Sequence, residues 1–97
     1  MKKIEEIKEM ISSRKQFLRD EFRVKNVGIF GSYSRKDPDD DSDVDILVEF
    51  TRPVGLIEFL RLEGYLQDLL GIKVDLVPKD GIKPALRDYI VNEVIYV

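Results

Sequence analysis

The 97-residue sequence contains no cysteine and no histidine. Without cysteine there are neither disulfides nor thiolate metal sites, and the redox compartment is left open. Without histidine, any general base must be a carboxylate, a lysine or a tyrosine, and a zinc site is disfavoured. No apolar run approaches the length of a membrane span, and the N-terminus lacks the short apolar core of a signal peptide. A cytoplasmic protein, with no membrane partner, is the simplest expectation. The formal net charge of −3 argues against a general nucleic-acid binder, which would normally be basic, so no direct nucleic-acid binding is expected. Charged residues at 36% and hydrophobic ones at 43% suit a globular domain. The length suits a single domain over residues 1–97, with no room for a second module.

What is present is concentrated between Val27 and Phe50. The stretch opens as an apolar run, Val27, Ile29 and Phe30, and breaks at Gly31-Ser32. It crosses an aspartate-rich loop and resumes as an alternating segment in which Asp43 and Asp45 precede Val48 and Phe50. Residues two apart on a strand share a face, so Asp43 and Asp45 present two carboxylates side by side. Such a pair repels itself unless a cation neutralises it, and a hard divalent ion such as Mg²⁺ suits oxygen ligands. Upstream, Gly31-Ser32 permits a tight turn into a helix start, where free backbone N–H groups favour a phosphate. Together these features describe a site for a metal–triphosphate.

The loop Asp37-Pro38-Asp39-Asp40-Asp41-Ser42 invites a calcium reading, which fails on spacing. An EF-hand loop beginning at Asp37 needs glycine where Ser42 stands and glutamate where Val48 stands. One beginning at Asp39 needs them at Val44 and Phe50. These aspartates read as a solvated turn. The alternative to a metal site at Asp43 and Asp45 is a charged strand edge that discourages aggregation.

Gly31-Ser32, ten intervening residues, then Asp43-Val44-Asp45 resembles the signature of the minimal nucleotidyltransferases of the DNA polymerase beta-like nucleotidyltransferase superfamily. Ser34-Arg35, Ser42 and Ile46-Leu47-Val48 also fit that pattern, whereas Lys36 stands where many members carry a glycine. The resemblance extends over nearly the whole chain. It implies ATP as a substrate held by Gly31, Ser32, Ser34 and Arg35, with Arg35 stabilising charge or forming a local ion pair. It implies a third carboxylate on a strand beside Asp-x-Asp, a role that falls on Asp75. Asp43, Asp45 and Asp75 would then be both the catalytic residues and the ligands of two Mg²⁺ ions. It further implies a HEPN-type toxin as partner in a hetero-oligomer, neutralised by transfer of AMP to a tyrosine hydroxyl. Two other readings remain: a non-catalytic antitoxin that acts by binding, and a subunit of a small-molecule nucleotidyltransferase of the aminoglycoside-modifying type.

The rest of the chain supplies the platform. Ile4, Ile7, Ile11, Leu18 and Phe22 predict one amphipathic helix over 4–22, with Arg14, Lys15 and Arg19 on its solvated face or against a partner. Val24–Phe30 predicts a strand, and Ser32–Lys36 a short helix. Val54–Leu70 predicts a second long helix with Leu56, Phe59, Leu60, Leu66, Leu69 and Leu70 on its apolar stripe, Gly64 leaving room for close packing and Gly71 as the stop. Ile72–Val77 predicts a strand carrying Asp75, a charge in an apolar run. Pro84 opens a final helix with Leu86, Ile90, Val94 and Ile95 on one stripe; Tyr89 and Tyr96 suit core edges or a partner surface. The expected class is α/β (α+β): a small mixed β-sheet covered by helices, in the order αβαβαβα.

Overall fold

In the computed structural model, residues 3–33 and 43–97 are described. Ser34 and Arg35, and the solvated turn expected over 37–42, lie outside them. The chain runs α1 (Ile4–Ser12), α2 (Lys15–Phe22), β1 (Val24–Phe30), a 3₁₀ turn (Gly31–Tyr33), β2 (Val44–Phe50), α3 (Leu56–Leu70), β3 (Val74–Pro78), a second 3₁₀ turn (Lys79–Gly81), α4 (Pro84–Glu93) and β4 (Ile95–Tyr96). The four strands form one mixed sheet in the order β3-β2-β1-β4, with β2 parallel to β3 and both other pairs antiparallel. The expected class is therefore correct. Among the described residues, no helix is long and apolar enough to cross a membrane.

The single N-terminal helix expected over 4–22 is two helices. Ser13 Oγ donates to the Met10 carbonyl at 2.7 Å, and the Arg14 N–H reaches back only three residues, to Ile11 O at 2.9 Å. A serine that bonds local backbone competes with the helical ladder, and the chain restarts at Lys15. The break does not disturb burial: Ile4, Ile7, Ile11, Leu18 and Phe22 all enter the core. Ile7 and Ile11 are wholly buried, and each such side chain contributes roughly 1.5–3 kcal/mol.

Gly55 caps α3 in an extended conformation, so the helix begins at Leu56 and not at Val54. Its buried row is Leu62, Leu66 and Leu70, with Phe59, Tyr65 and Leu69 packed partly against the core. The expected stripe is wrong at two positions, since Leu56 is 72% and Leu60 52% exposed. Leu60 lies off the row that starts at Phe59 and continues through Leu62, Leu66 and Leu70 at helical spacings. Gly64 meets nothing where a Cβ would stand, so it serves no close packing. Gly71 adopts φ 69° and its N–H closes on Gln67 O at 2.8 Å, ending the helix as expected.

The C-terminal reading also changes. Val94 is the extended residue after α4, and Ile95 belongs to β4. β-branched Val94 and Ile95 suit an extended chain, and pairing against Gly28 and Ile29 of β1 satisfies its backbone. The Val97 N–H continues this to Val27 O at 2.9 Å. Leu86, expected to be core, is 52% exposed; Tyr89 and Tyr96 are exposed as well.

The main core lies between the sheet and helices α1, α2 and α3, with Val27, Ile29, Val44, Ile46, Val48, Val74 and Leu76 contributed by the strands. The intervening strand residues point to the opposite face. On that face stand Asp45, Leu47, Glu49, Asp75 and Val77.

Candidate active site

β2 has β1 on one side and β3 on the other, and this position assembles the site. In the parallel ladder Asp45 is the partner of Asp75; in the antiparallel ladder it is the partner of Phe30, the last residue of β1. Residues paired in a ladder project to the same face, and neighbouring strands lie about 4.8 Å apart. Asp45 and Asp75 therefore form a cross-strand carboxylate pair. Asp43 precedes β2 by one residue and is half-buried, and the adjacent Val44 N–H donates to Lys73 O at 3.0 Å. That bond fixes the entry of β2 against β3. Asp45 is half-buried and Asp75 exposed.

Phe30 leads directly into Gly31. Gly31 has φ 76°, in the left-handed region, and a Cβ there would overlap the Asp45 carboxylate. The turn thus requires glycine twice over: once for its backbone, once to admit the neighbouring side chain. Ser32 and Tyr33 follow in the 3₁₀ turn, Tyr33 being 2% exposed and anchored in the core. Gly31, Asp45 and Asp75 are brought together, with Asp43 at the strand entrance. Ser32 is placed by its backbone alone, and the expected contributions of Ser34 and Arg35 fall outside the described residues.

The donor set is all carboxylate oxygen, which suits a hard divalent cation such as Mg²⁺ and does not suit zinc. Among the described residues, no Lys or Arg forms an ion pair with Asp75. Equally, among them no three Asp, Glu, His or Cys side chains stand together at metal-holding separation. The backbone register aligns Asp45 with Asp75, while the three carboxylates as they stand do not converge into one cluster.

Further along the same face of β2 the electrostatics differ. Glu49 accepts a hydrogen bond from Asn26 Nδ2 at 2.8 Å and faces Lys79 Nζ at 3.8 Å. The Asn26 bond holds its pKa below the ordinary glutamate value; burial opposes this, and the positive charges of Lys79 and Lys25 assist it. A groove of about 740 Å³ opens at this end of the strands, between Phe50, Leu56, Phe59, Leu76, Pro78 and Lys79. Asp43, Asp45 and Asp75 do not line it.

Sequence reading missed two side chains that hold β3. Gln67 Oε1 accepts the Val74 N–H at 3.1 Å, and Glu63 Oε2 accepts the Leu76 N–H at 3.2 Å. Their signal was a pair of polar residues four apart, each following one of the buried leucines Leu62 and Leu66 of α3.

A family model described as the nucleotidyltransferase domain matches residues 5–97. A Thermococcus cleftensis protein named protein adenylyltransferase MntA is 45% identical over 94 residues, covering 97% of this chain and 95% of its own. Among solved structures, a toxin–antitoxin complex with AMP-PNP contains a chain similar at TM-score 0.76 and 27% identity, over 92% of this chain and 70% of that one. A Shewanella oneidensis complex, described as a tri-AMPylated HEPN toxin with its MNT antitoxin, is similar in fold at TM-score 0.69 and 24% identity, over 93% and 70% of the two chains.

Proposed function

We propose that this chain, which belongs to the nucleotidyltransferase domain family, is a single-domain protein adenylyltransferase that moves AMP from ATP to a tyrosine hydroxyl of a HEPN-type toxin and thereby acts as its antitoxin. The observation that carries the reading is the ladder register of Asp45 against Asp75, with Gly31 pressed beside Asp45. The adenylyltransferase name of the Thermococcus relative and the toxin–antitoxin assembly of the AMP-PNP complex support the reaction class and the partner. The chain works in the cytoplasm, as a hetero-oligomer with that partner.

In this reading the turn at Gly31 and Ser32 binds the triphosphate through backbone N–H groups and the Ser32 hydroxyl, with Ser34 and Arg35 completing the cradle. Asp43, Asp45 and Asp75 would hold two Mg²⁺ ions, which when bound would supply charge neutralisation for the triphosphate and lower the pKa of the acceptor hydroxyl. Asp75, at the exposed edge of the pair, takes the proton of the acceptor, since no histidine is present to do so. The tyrosine oxygen bonds to the α-phosphorus as the bond from that phosphorus to the bridging oxygen breaks, and pyrophosphate leaves on the opposite side. The half-buried Asp45, packed on Gly31, keeps the nucleotide turn and the carboxylate pair in one geometry.

The test is co-expression with the protein encoded beside it, followed by the intact mass of that partner. A gain of one or more AMP units, lost with Asp45→Asn or Asp75→Asn, is the expected result. An unmodified partner that is still bound and silenced would mean neutralisation by occlusion. Nucleotide turnover on a hydroxyl-bearing small molecule without any protein acceptor would point to the small-molecule class.

A further inference from the structure

Among the described residues β3 is an edge strand, paired with β2 on one side only. The outward N–H groups of such a strand would ordinarily meet solvent or recruit another chain. Here they do not: Val74 donates to Gln67 Oε1 and Leu76 to Glu63 Oε2, both from α3. The acceptors lie four residues apart on the helix, about 6 Å along its axis, and the donors two apart on the strand, about 6.6 Å along it. The two spacings match, so α3 stands in for a missing fifth strand. Asp75 is the residue between the two donors.

We infer that Glu63 and Gln67 are positioning residues for Asp75, fixing the stretch of β3 that presents its carboxylate opposite Asp45. The inference rests on the proposed role of Asp75 in the transfer reaction. Its physical content is local. Asp75 is exposed, and its side chain gains little rigidity from packing. What defines its place is the backbone, clamped by β2 on one edge and by α3 on the other. Releasing the α3 clamp lets the Val74–Leu76 segment shift while the core residues Val74 and Leu76 remain buried. A displacement of that kind weakens the alignment of the carboxylate pair more than it weakens the fold.

Edge protection alone is the competing explanation, and substitution separates the two. Glu63→Leu and Gln67→Leu remove the acceptors, whereas Glu63→Gln and Gln67→Glu keep one. In transfer assays on the purified partner, the leucine variants are expected to lose about tenfold in kcat with KM for ATP within about twofold of wild type, and the acceptor-retaining variants to recover most of that loss. Amide hydrogen exchange reports the clamp itself: Leu76 should exchange faster in Glu63→Leu and remain protected in Glu63→Gln. Faster exchange with unchanged kcat would overturn the inference and leave only an edge cap. A readout independent of activity is Mn²⁺ titration followed by paramagnetic broadening of the Asp75 amide signal. The midpoint should rise about tenfold in the leucine variants; an unchanged midpoint would contradict the inference. A wild-type chain that broadens at Asp75 yet transfers nothing would sink the proposed reaction and leave the Mn²⁺ comparison to decide on positioning. No broadening at Asp75 in the wild type would overturn both.

Discussion

Asp45 and Asp75 are ladder partners in the parallel pairing of β2 with β3, two carboxylates on adjacent strands projecting from one face of the sheet. Like charges in that relation cost stability, typically about 0.2–1 kcal/mol. In the proposed reaction that cost is offset by the cation the pair would hold. Asp75→Asn should raise the urea midpoint slightly in metal-free buffer at neutral pH while lowering AMP transfer roughly a hundredfold or more. A variant that lost stability as well would show that the carboxylate has a structural role.

Gly31 ties the nucleotide turn to Asp45. Gly31→Ala would place a side chain in the left-handed region and into the Asp45 carboxylate. The backbone contribution alone is about 1–2 kcal/mol. Equilibrium unfolding should show at least that loss, and transfer by the folded fraction should drop because Asp45 must turn away. Stability within error of wild type would refute the close approach.

The Asn26–Glu49 bond makes a small, pH-dependent contribution. Because the folded-state pKa of Glu49 is lowered, its stabilisation is present above the ordinary glutamate value, about 4.3, and is lost as pH falls through the lower folded value. Asn26→Ala should therefore be less stable than wild type near neutrality, and the gap should close in acid. Lys79 is 38% and Glu49 25% exposed, so added salt should also narrow the Lys79 and Lys25 contribution. A gap independent of pH would assign the effect of Asn26 to packing.

Much of this molecule was legible in its sequence because its signals are local. Gly31 ends β1, Gly71 ends α3, and Pro84 opens α4, as turn and cap chemistry dictates. The alternation Val44-Asp45-Ile46 placed the aspartate opposite the core face, and Ile4, Ile7, Ile11, Leu18 and Phe22, the stripe read from the spacing, are all buried. The errors arose where tertiary context decides. Ser13 bonding Met10 divided a helix whose apolar spacing was continuous across the break. Leu56 and Leu60 fit a helical stripe as well as Leu62 does, and only the sheet beneath α3 selects among them. β4 is too short to signal itself and exists because β1 offers an edge. Within the candidate site, the motif spacing pointed to Asp43 and Asp45, but the pairing of Asp45 with Asp75 depends on strand order, which no local pattern encodes.

The corrected face of α3 is itself testable. Leu66→Ala should cost about 2–5 kcal/mol, because Leu66 is 1% exposed and its removal leaves a cavity. Leu60→Ala, at a half-exposed position, should change stability by no more than about 0.5 kcal/mol. Denaturant unfolding of the two variants compares them directly, and equal losses would restore the stripe expected from periodicity.

The central claim is that the chain transfers the adenylyl group of ATP to its partner protein. Its most direct test is to incubate the purified chain and the proposed HEPN-type partner with Mg²⁺ and ATP labelled either at the α-phosphate or at the γ-phosphate, then to follow label into the partner. Incorporation from the α-label only, abolished by Asp45→Asn, is the expected result. Incorporation from the γ-label, or a neutralised partner that carries neither label, would contradict it.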